Sequence, residues 1–299
     1  MNTFENKVAL VTGASYGIGF AIAKDLASRG AHLILTARSG EKLEALASSI
    51  RSEGGKANVF EADLSVSGSA NELFEKISSE GIKIDLLVNN AGYGRWGEFT
   101  EFERSDYSKM LHLNINSLIE LTHMFIPQMI QKGGGGVINV GSTASFLPVP
   151  FASVYSASKA FVLMFSDAIR YEYQDKNIQV MTLCPGGTAS KFSEVASEKS
   201  SDALKTLNQV LKDKGQLGDS CELVAREGLD AFLKNKSSFI TGKGNKKFAF
   251  LPRILSRDRI IKLTGDIFRK RGVNFLERST NGSKGYERSD PRIPLDFRN

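Results

Sequence analysis

A tyrosine and a lysine four residues apart, Tyr155 and Lys159 in SVYSASKAF, have the types and spacing for proton transfer. In a helix that spacing puts both side chains on one face. A free phenol titrates at about 10 and is a poor acid–base catalyst near neutrality. A neighbouring ammonium stabilises the phenolate and is expected to lower that value. The pair is then a candidate general acid toward a carbonyl oxygen. Ser142 stands thirteen residues before the tyrosine, after the apolar run GVINV at 136–140, and its hydroxyl could hydrogen-bond the same oxygen.

The stretch TGASYGIG at 12–19 follows the apolar run Val8-Ala9-Leu10-Val11 and precedes a helical pattern. Three glycines so placed fit an ordinary tight turn or a phosphate-binding loop. On the second reading, Gly13, Gly17 and Gly19 let the backbone approach a pyrophosphate. Ser15, Tyr16 and Ile18 carry the loop into a helix start whose N–H groups and positive dipole end favour an anion. The end of the next strand bears on the nucleotide. A carboxylate there would take the ribose 2′-hydroxyl and signal NAD(H). The residues are Thr36-Ala37-Arg38-Ser39. Arg38 can pair with a 2′-phosphate instead, which favours NADP(H) over NAD(H). Tyr16 stands where a basic residue would have added a second phosphate contact.

These residues need elements to hold them. Short apolar, β-rich runs at 7–12, 32–37, 57–61, 85–89, 136–140, 179–184 and 238–241 read as strands covered on both faces. Helical patterns lie between them. In IGFAIAKDLASRG, Ile18, Ile22 and Leu26 recur every four residues and Gly30 stops the helix. Strand and helix in alternation predict an α/β, doubly wound parallel sheet of about seven strands. Right-handed crossovers put the loops after the strands along one edge, where ligands bind. GGGG at 133–136 closes a helix and leads into a strand. Residues 188–220, rich in Ser and Lys, form a long excursion of the kind used as a lid.

The bulk numbers fit that picture. The chain has 299 residues, 41% hydrophobic and 24% charged, as in an ordinary soluble domain with a sizeable core. No apolar stretch is long enough to span a membrane. The start, MNTFENK, lacks the features of a secretory signal, so the expected localisation is cytoplasmic. Cys184 and Cys221 have no CxxC spacing and read as reduced structural thiols. Three scattered histidines, His32, His112 and His123, give no metal-site pattern. The net charge of +6 is unevenly placed: 243–299 carries a balance of +9 and 1–242 one of −3. The body therefore has no nucleic-acid footprint.

Taken in order, TGASYGIG, NNAG at 89–92, Asn114 in HLNINS, Ser142 in GSTAS, YSASK at 155–159 and PGG at 185–187 resemble the short-chain dehydrogenase/reductase family over roughly residues 5–250. The resemblance implies a single Rossmann-type domain over 1–250. It implies Asn114, Ser142, Tyr155 and Lys159 as a catalytic set, with Lys159 also holding the nicotinamide ribose and Asn114 a water. Asp63 in EADLS becomes an adenine contact, the alternative being a helix N-cap. Asn90, Ala91 and Gly92 back the adenosine ribose. Pro185, Gly186 and Thr188 reach the nicotinamide and phosphates, and Ser190 replaces a frequent threonine. The implied reaction is hydride transfer between NADP(H) and a carbonyl or secondary alcohol. A catalytically silent nucleotide sensor or scaffold, and an epimerase or dehydratase, are the alternatives. Family members are commonly dimers or tetramers.

Three features stay open on residues alone. Trp96 and Phe99 could line a substrate pocket or simply pack. Apolar residues of the excursion, Phe192, Val195, Leu204 and Leu207, suggest an apolar or acyl-chain substrate. LPRILSRDRIIKLTGDIFRKRG at 251–272 reads as a basic amphipathic helix or helix pair. Pocket cap or subunit contact is preferred there over contact with an anionic membrane surface. Residues 251–299 form a C-terminal extension whose tail, from about Asn274, has a disordered composition.

Overall fold

The computed structural model describes residues 1–190, 192–198, 218–242 and 244–266. Seven strands occupy Val8–Thr12 (β1), His32–Thr36 (β2), Lys56–Val59 (β3), Leu86–Asn89 (β4), Gly135–Val140 (β5), Ile178–Cys184 (β6) and Ser238–Ile240 (β7). They form one sheet in the order β3-β2-β1-β4-β5-β6-β7, every pairing parallel. Each expected strand is present within two residues of its expected ends.

Successive side chains of a strand point to opposite faces, so an apolar run feeds two cores. In β1, Ala9 and Val11 join one buried cluster and Leu10 the other. In β2, Leu33 and Leu35 divide from Ile34 in the same way, and in β4, Leu86 and Val88 from Leu87. The first cluster is completed by helices Gly17–Ser28 (α1) and Gly40–Ser52 (α2), and by Cys221–Leu233, which follows the excursion. The second is completed by Ser69–Ser79 (α3), Ser117–Gln131 and Ser153–Tyr173. The sheet is therefore doubly wound.

The remaining helices, in chain order, set the site. Arg104–Leu111 (α4) runs through a π-helical turn, His112–Asn116, into Ser117–Gln131 (α5). Ser153–Tyr173 (α6) precedes β6, and Phe192–Ser197 (α7) lies inside the excursion. Cys221–Leu233 (α8) leads to β7 and Asn245–Phe250 (α9), a 3-10 turn covers Leu251–Arg253, and a helix over 257–266 (α10) ends the described residues. The excursion is pinched at its base. Thr188 bridges Asp219, with the Ala189 amide donating to the Asp219 carbonyl at 3.0 Å and the Asp219 amide to Gly187 at 3.0 Å. Its middle, with Leu204 and Leu207, lies outside the described residues, as do 267–272 of the amphipathic segment and the tail from Asn274.

The chain crosses from β3 over to β4, so the sheet order reverses at the β1/β4 boundary and opens a crevice at the strands' carboxyl ends. That crevice is stitched from beneath. Thr12 Oγ1 accepts from the Asn90 and Ala91 amides, both at 2.9 Å, and donates to the Val88 carbonyl at 3.2 Å. Asn90 Nδ2 donates back to the Thr12 carbonyl at 2.9 Å. Gly19 packs against this knot. A Cβ there would overlap the Gly13 carbonyl oxygen and the Asn90 side chain. Its glycine is explained by helix packing, while Gly13 and Gly17 adopt φ near +66° and form the turn itself.

Candidate active site

A continuous cleft of about 1280 Å³ runs from the end of β2 across the glycine loop to α7 and the C-terminal helices. Its nucleotide-sized arm starts where α1 begins. The residue preceding α1, Tyr16, gives no side-chain cap, so the amides of the first turn are left for another acceptor. Gly13, Ser15, Gly17 and Ile18 line the same floor. Arg38 stands exposed at the rim of this arm and makes no ion pair among the described residues. Asp63 lines the wall opposite. Its Oδ1 accepts from the Ser65 amide at 3.0 Å and the Ser65 hydroxyl at 2.7 Å, a local turn well ahead of α3, so it caps no helix. Asn90, Ala91 and Gly92 line the cleft, and so do Pro185, Gly186 and Thr188.

The second arm holds the acid–base residues. α6 presents Tyr155 and Lys159 on one face, and Ser142 sits in extended backbone directly after β5 and Gly141. Ser142 and Tyr155 line the same arm, the serine hydroxyl near enough to favour the phenolate, and Ser142 Oγ accepts from the Ala144 amide at 3.1 Å. Lys159 Nζ donates to the Val140 carbonyl at 2.8 Å and lies 5.9 Å from the Tyr155 ring centroid. Burial pushes the Tyr155 phenol up to about 12, against the lowering effect of the Ser142 hydroxyl. Burial also pulls the Lys159 ammonium down to about 8. The expected lowering of the phenol by its lysine is therefore not what the structure shows: burial dominates, and only Ser142 acts against it. At neutral pH the tyrosine keeps its proton, which is the form that can donate.

A family model described as short chain dehydrogenase matches residues 7–201, and those residues include the glycine loop, Ser142, Tyr155 and Lys159. The chain belongs to the short-chain dehydrogenase family. The very-long-chain 3-oxoacyl-CoA reductase of Anas platyrhynchos is 37% identical over 195 residues, covering 63% of this chain and 62% of that protein. The chain thus spans less than two thirds of the length of that relative. The 17-beta-hydroxysteroid dehydrogenase type 3 of Homo sapiens is 32% identical over 232 residues, 75% of this chain and 74% of its own. Among solved structures, a gluconate 5-dehydrogenase from Burkholderia cenocepacia J2315, in complex with NADP and tartrate, superposes with a TM-score of 0.69 at 25% identity. That match covers 82% of this chain and 98% of the other.

Within this family member, two of the residues expected in the site stand behind its wall. Gly19 is in the knot described above. Asn114, on the π-helical turn, is 2% exposed. Its Oδ1 accepts from the Tyr93 amide at 3.1 Å, and its Nδ2 donates to the Tyr93 carbonyl at 3.0 Å and to Ser158 Oγ at 3.1 Å. It clamps the 92–94 wall to α6. A Cβ on Gly92 would meet Asn114 Oδ1 at 2.9 Å and Lys159 Nζ at 3.5 Å, so the amide and the ammonium approach each other across that glycine. Trp96 lines the cleft, edge-on to Phe192 at 6.3 Å, whereas Phe99 is exposed and stacks on Tyr107 at 5.3 Å.

Five contributors were not foreseen. Lys42 lines the cleft from the first turn of α2, four residues after Arg38, which precedes that helix. Arg95 is almost buried: it donates to the Val195 carbonyl at 2.8 Å, lies 3.7 Å from Asp106 and sits over the Tyr93 ring at 4.9 Å. It ties α7 to the wall beside Tyr155. Asn245 of α9 donates to Asp219 at 3.1 Å and fills the space a side chain on Gly186 would need. Thr264 of α10 lines the cleft and donates to the Pro148 carbonyl at 3.2 Å, with Phe248 of α9 also on the wall.

Lys159 should weaken the fold that holds it. Its value is about 8 here against 10.5 for the free side chain. Below pH 8 the ammonium is charged in both states and the desolvation penalty is fully present. Between about 8 and 10.5 the unfolded chain binds the extra proton, so stability rises with pH across that window. Lys159→Met is expected to be more stable than the wild type at pH 7 by about 2 kcal/mol, the penalty less one lost hydrogen bond. The gap should close toward pH 10.5. Urea unfolding at both pH values checks this, and a variant less stable at pH 7 would refute it.

Proposed function

We propose that this protein is an NADP(H)-dependent reductase of carbonyl compounds, working between a ketone and the corresponding secondary alcohol. One observation carries the reading: Tyr155 and Ser142 stand together on the cleft wall, with Lys159 buried directly behind them on the Val140 carbonyl, and burial keeps the phenol protonated at neutral pH. A nucleotide sensor has no need of that donor and would be relieved of a destabilising lysine. An epimerase or dehydratase gains no support from the arm, where the Ser142 and Tyr155 hydroxyls meet at one place beside Lys159.

When bound, the dinucleotide supplies the hydride. The chain's own residues do the rest. Ser142 Oγ and Tyr155 Oη hydrogen-bond the substrate oxygen and polarise the carbonyl. Tyr155 gives its proton to that oxygen as negative charge develops on it. Lys159 stabilises the phenolate that is left, and the nearby Asn114 holds the wall against which the lysine is placed. Gly13 and Gly17 shape the loop, and the amides opening α1 receive phosphate oxygens. The preference for NADP(H) rests on Arg38, which follows β2, and Lys42 in the first turn of α2, both on the cleft wall. The solved relative that carries NADP supports the same choice.

The substrate arm, with Trp96, Phe192 and Val195, suits an apolar or acyl-chain ketone. The 3-oxoacyl relative is in keeping with that class. Two free, buried cysteines accord with a cytoplasmic location. Among the described residues no helix is long and apolar enough to cross a membrane. α6 turns Met164, Tyr171 and Phe161 to solvent, an apolar strip that a second copy would cover in a homodimer. Sedimentation equilibrium is expected to return twice the chain mass, and a monomer at micromolar concentration would remove the dimer.

Tyr155→Phe is expected to keep nucleotide affinity and lose about a thousandfold in turnover of an aliphatic ketone. Near-wild-type turnover would sink the mechanism. Replacing Arg38 and Lys42 together by serine is expected to raise KM for NADPH at least about tenfold and leave that for NADH little changed. Equal loss with both cofactors would assign the two cations no part in 2′-phosphate recognition.

A further inference from the structure

Helix α7 is six residues long, too short to hold itself in water, and the wall beside Tyr155 holds it. The Trp96 amide donates to the Ala196 carbonyl at 2.9 Å, and Arg95 Nη1 donates to the Val195 carbonyl at 2.8 Å. The wall thus takes two carbonyls of the last turn, where partners within a helix run out. The first turn carries Phe192. Its ring centroid stands 5.4 Å from that of Tyr155 and 6.3 Å from that of Trp96. Gly94 closes the third side: a Cβ there would lie 3.3 Å from both the Phe192 and the Tyr155 ring. Phe192 is already packed against the wall, and a loosened α7 can only draw it away.

An arginine is a costly choice for this tie. The Arg95 side chain is 9% exposed, its Nε has no partner among the described residues, and Asp106 stands at 3.7 Å, beyond hydrogen-bond length. A methionine could cover the Tyr93 ring, which the guanidinium overlies at 4.9 Å, without the cost of burying a cation. What the arginine adds is the bond to Val195.

We infer that Arg95 is a positioning residue for the substrate arm: by holding Val195 it sets how far Phe192 stands from Tyr155, and so the width of the space open to a ketone. Phe192, Trp96 and Val195 line that arm, and the glycine loop, Arg38 and Lys42 line the other, so the tie acts on the ketone and not on the nucleotide. With the tie in place, a slender ketone touches Phe192 and Trp96. Without it, α7 draws back, the slender ketone loses that contact and a broader one gains room. The ketone half of this statement rests on the carbonyl-reductase reading; the placement of α7 does not.

Trp96 is the chain's single tryptophan, so its fluorescence reports α7 without any turnover. In Arg95→Met, quenching of that fluorescence by acrylamide is expected to rise about twofold, because the helix that shields the ring is loosened. With methyl hexyl ketone the variant should raise KM about tenfold and change kcat by less than about twofold. KM for NADPH should match the wild type. For the fused-ring ketone tetralone, kcat/KM relative to methyl hexyl ketone should rise about tenfold. Phe192→Ala should shift that ratio in the same direction, and adding Arg95→Met to it should shift it no further. Arg95→Gln, polar but too short to reach Val195, gives the same comparison where a methionine beside Asp106 does not fold. Equal loss on both ketones, additive shifts in the double variant, or unchanged quenching overturns the proposal. A wild type that reduces neither ketone counts against the carbonyl-reductase reading, and the quenching then decides the placement of α7 by itself.

Discussion

The site depends on the hydroxyl of one buried threonine. Thr12 ends β1 at the point where the sheet order reverses, and its oxygen takes two amides from the strand-end loop of β4. A parallel sheet has no hairpin to join these two ends, so they would otherwise part at the crevice. Asn90 returns a bond to the Thr12 carbonyl, and Gly19 lets α1 settle on the result. The glycine loop and the NNAG loop thus become one rigid floor. The phosphate arm and the proton-donor arm are aligned because both are built from this floor, one through α1 and the other through Gly92 and its neighbours Asn114 and Lys159.

Electrostatics works against stability at the second arm. A lysine 5% exposed, bonded to one carbonyl, is a poor choice for a core, and a tyrosine pushed up to about 12 holds its proton against solvent. Perturbed groups of this kind concentrate where chemistry is done. The two shifts act in one direction for catalysis: they leave a neutral donor beside a cation whose charge gains value as the donor becomes anionic. Placed on the surface, the same pair would be screened by water and the phenol would have little reason to give up its proton to a ketone.

Much of this was legible in the residues because the signals were local. Apolar runs marked every strand, since a strand covered on both faces has few polar positions to confuse with a loop. Gly30, at φ +83°, ended α1 as expected. The motifs placed Ser142, Tyr155 and Lys159 together. What escaped was tertiary. The direction of the Tyr155 shift depends on how completely the arm is dehydrated, which no spacing reports. Arg95 is chosen by Asp106 and a carbonyl 100 residues away. The bonds of Asn114 to Tyr93 and Ser158, which brace the wall beside Lys159, depend on the π-helical turn and are not readable from its motif. Phe99 lies near the cleft in sequence but stacks on Tyr107 outside it.

The C-terminal helices show why a charge pattern needs a structure before it has a meaning. On residues alone, a basic amphipathic stretch fits a cap, an interface or a lipid surface. In the fold, Ile260 and Thr264 face inward, and Thr264 lines the cleft. Thr264 is buried on the cleft wall, its hydroxyl bonded at 2.8 Å to the Ile260 carbonyl and 3.2 Å from that of Pro148. A helix fixed on one side by four-residue spacing must present the intervening residues elsewhere, and here those are Ile261, Lys262 and Leu263. Whatever covers that outer face is coupled to the cleft by the same short helix, since the backbone that holds Thr264 on the wall also carries the exposed side chains beside it.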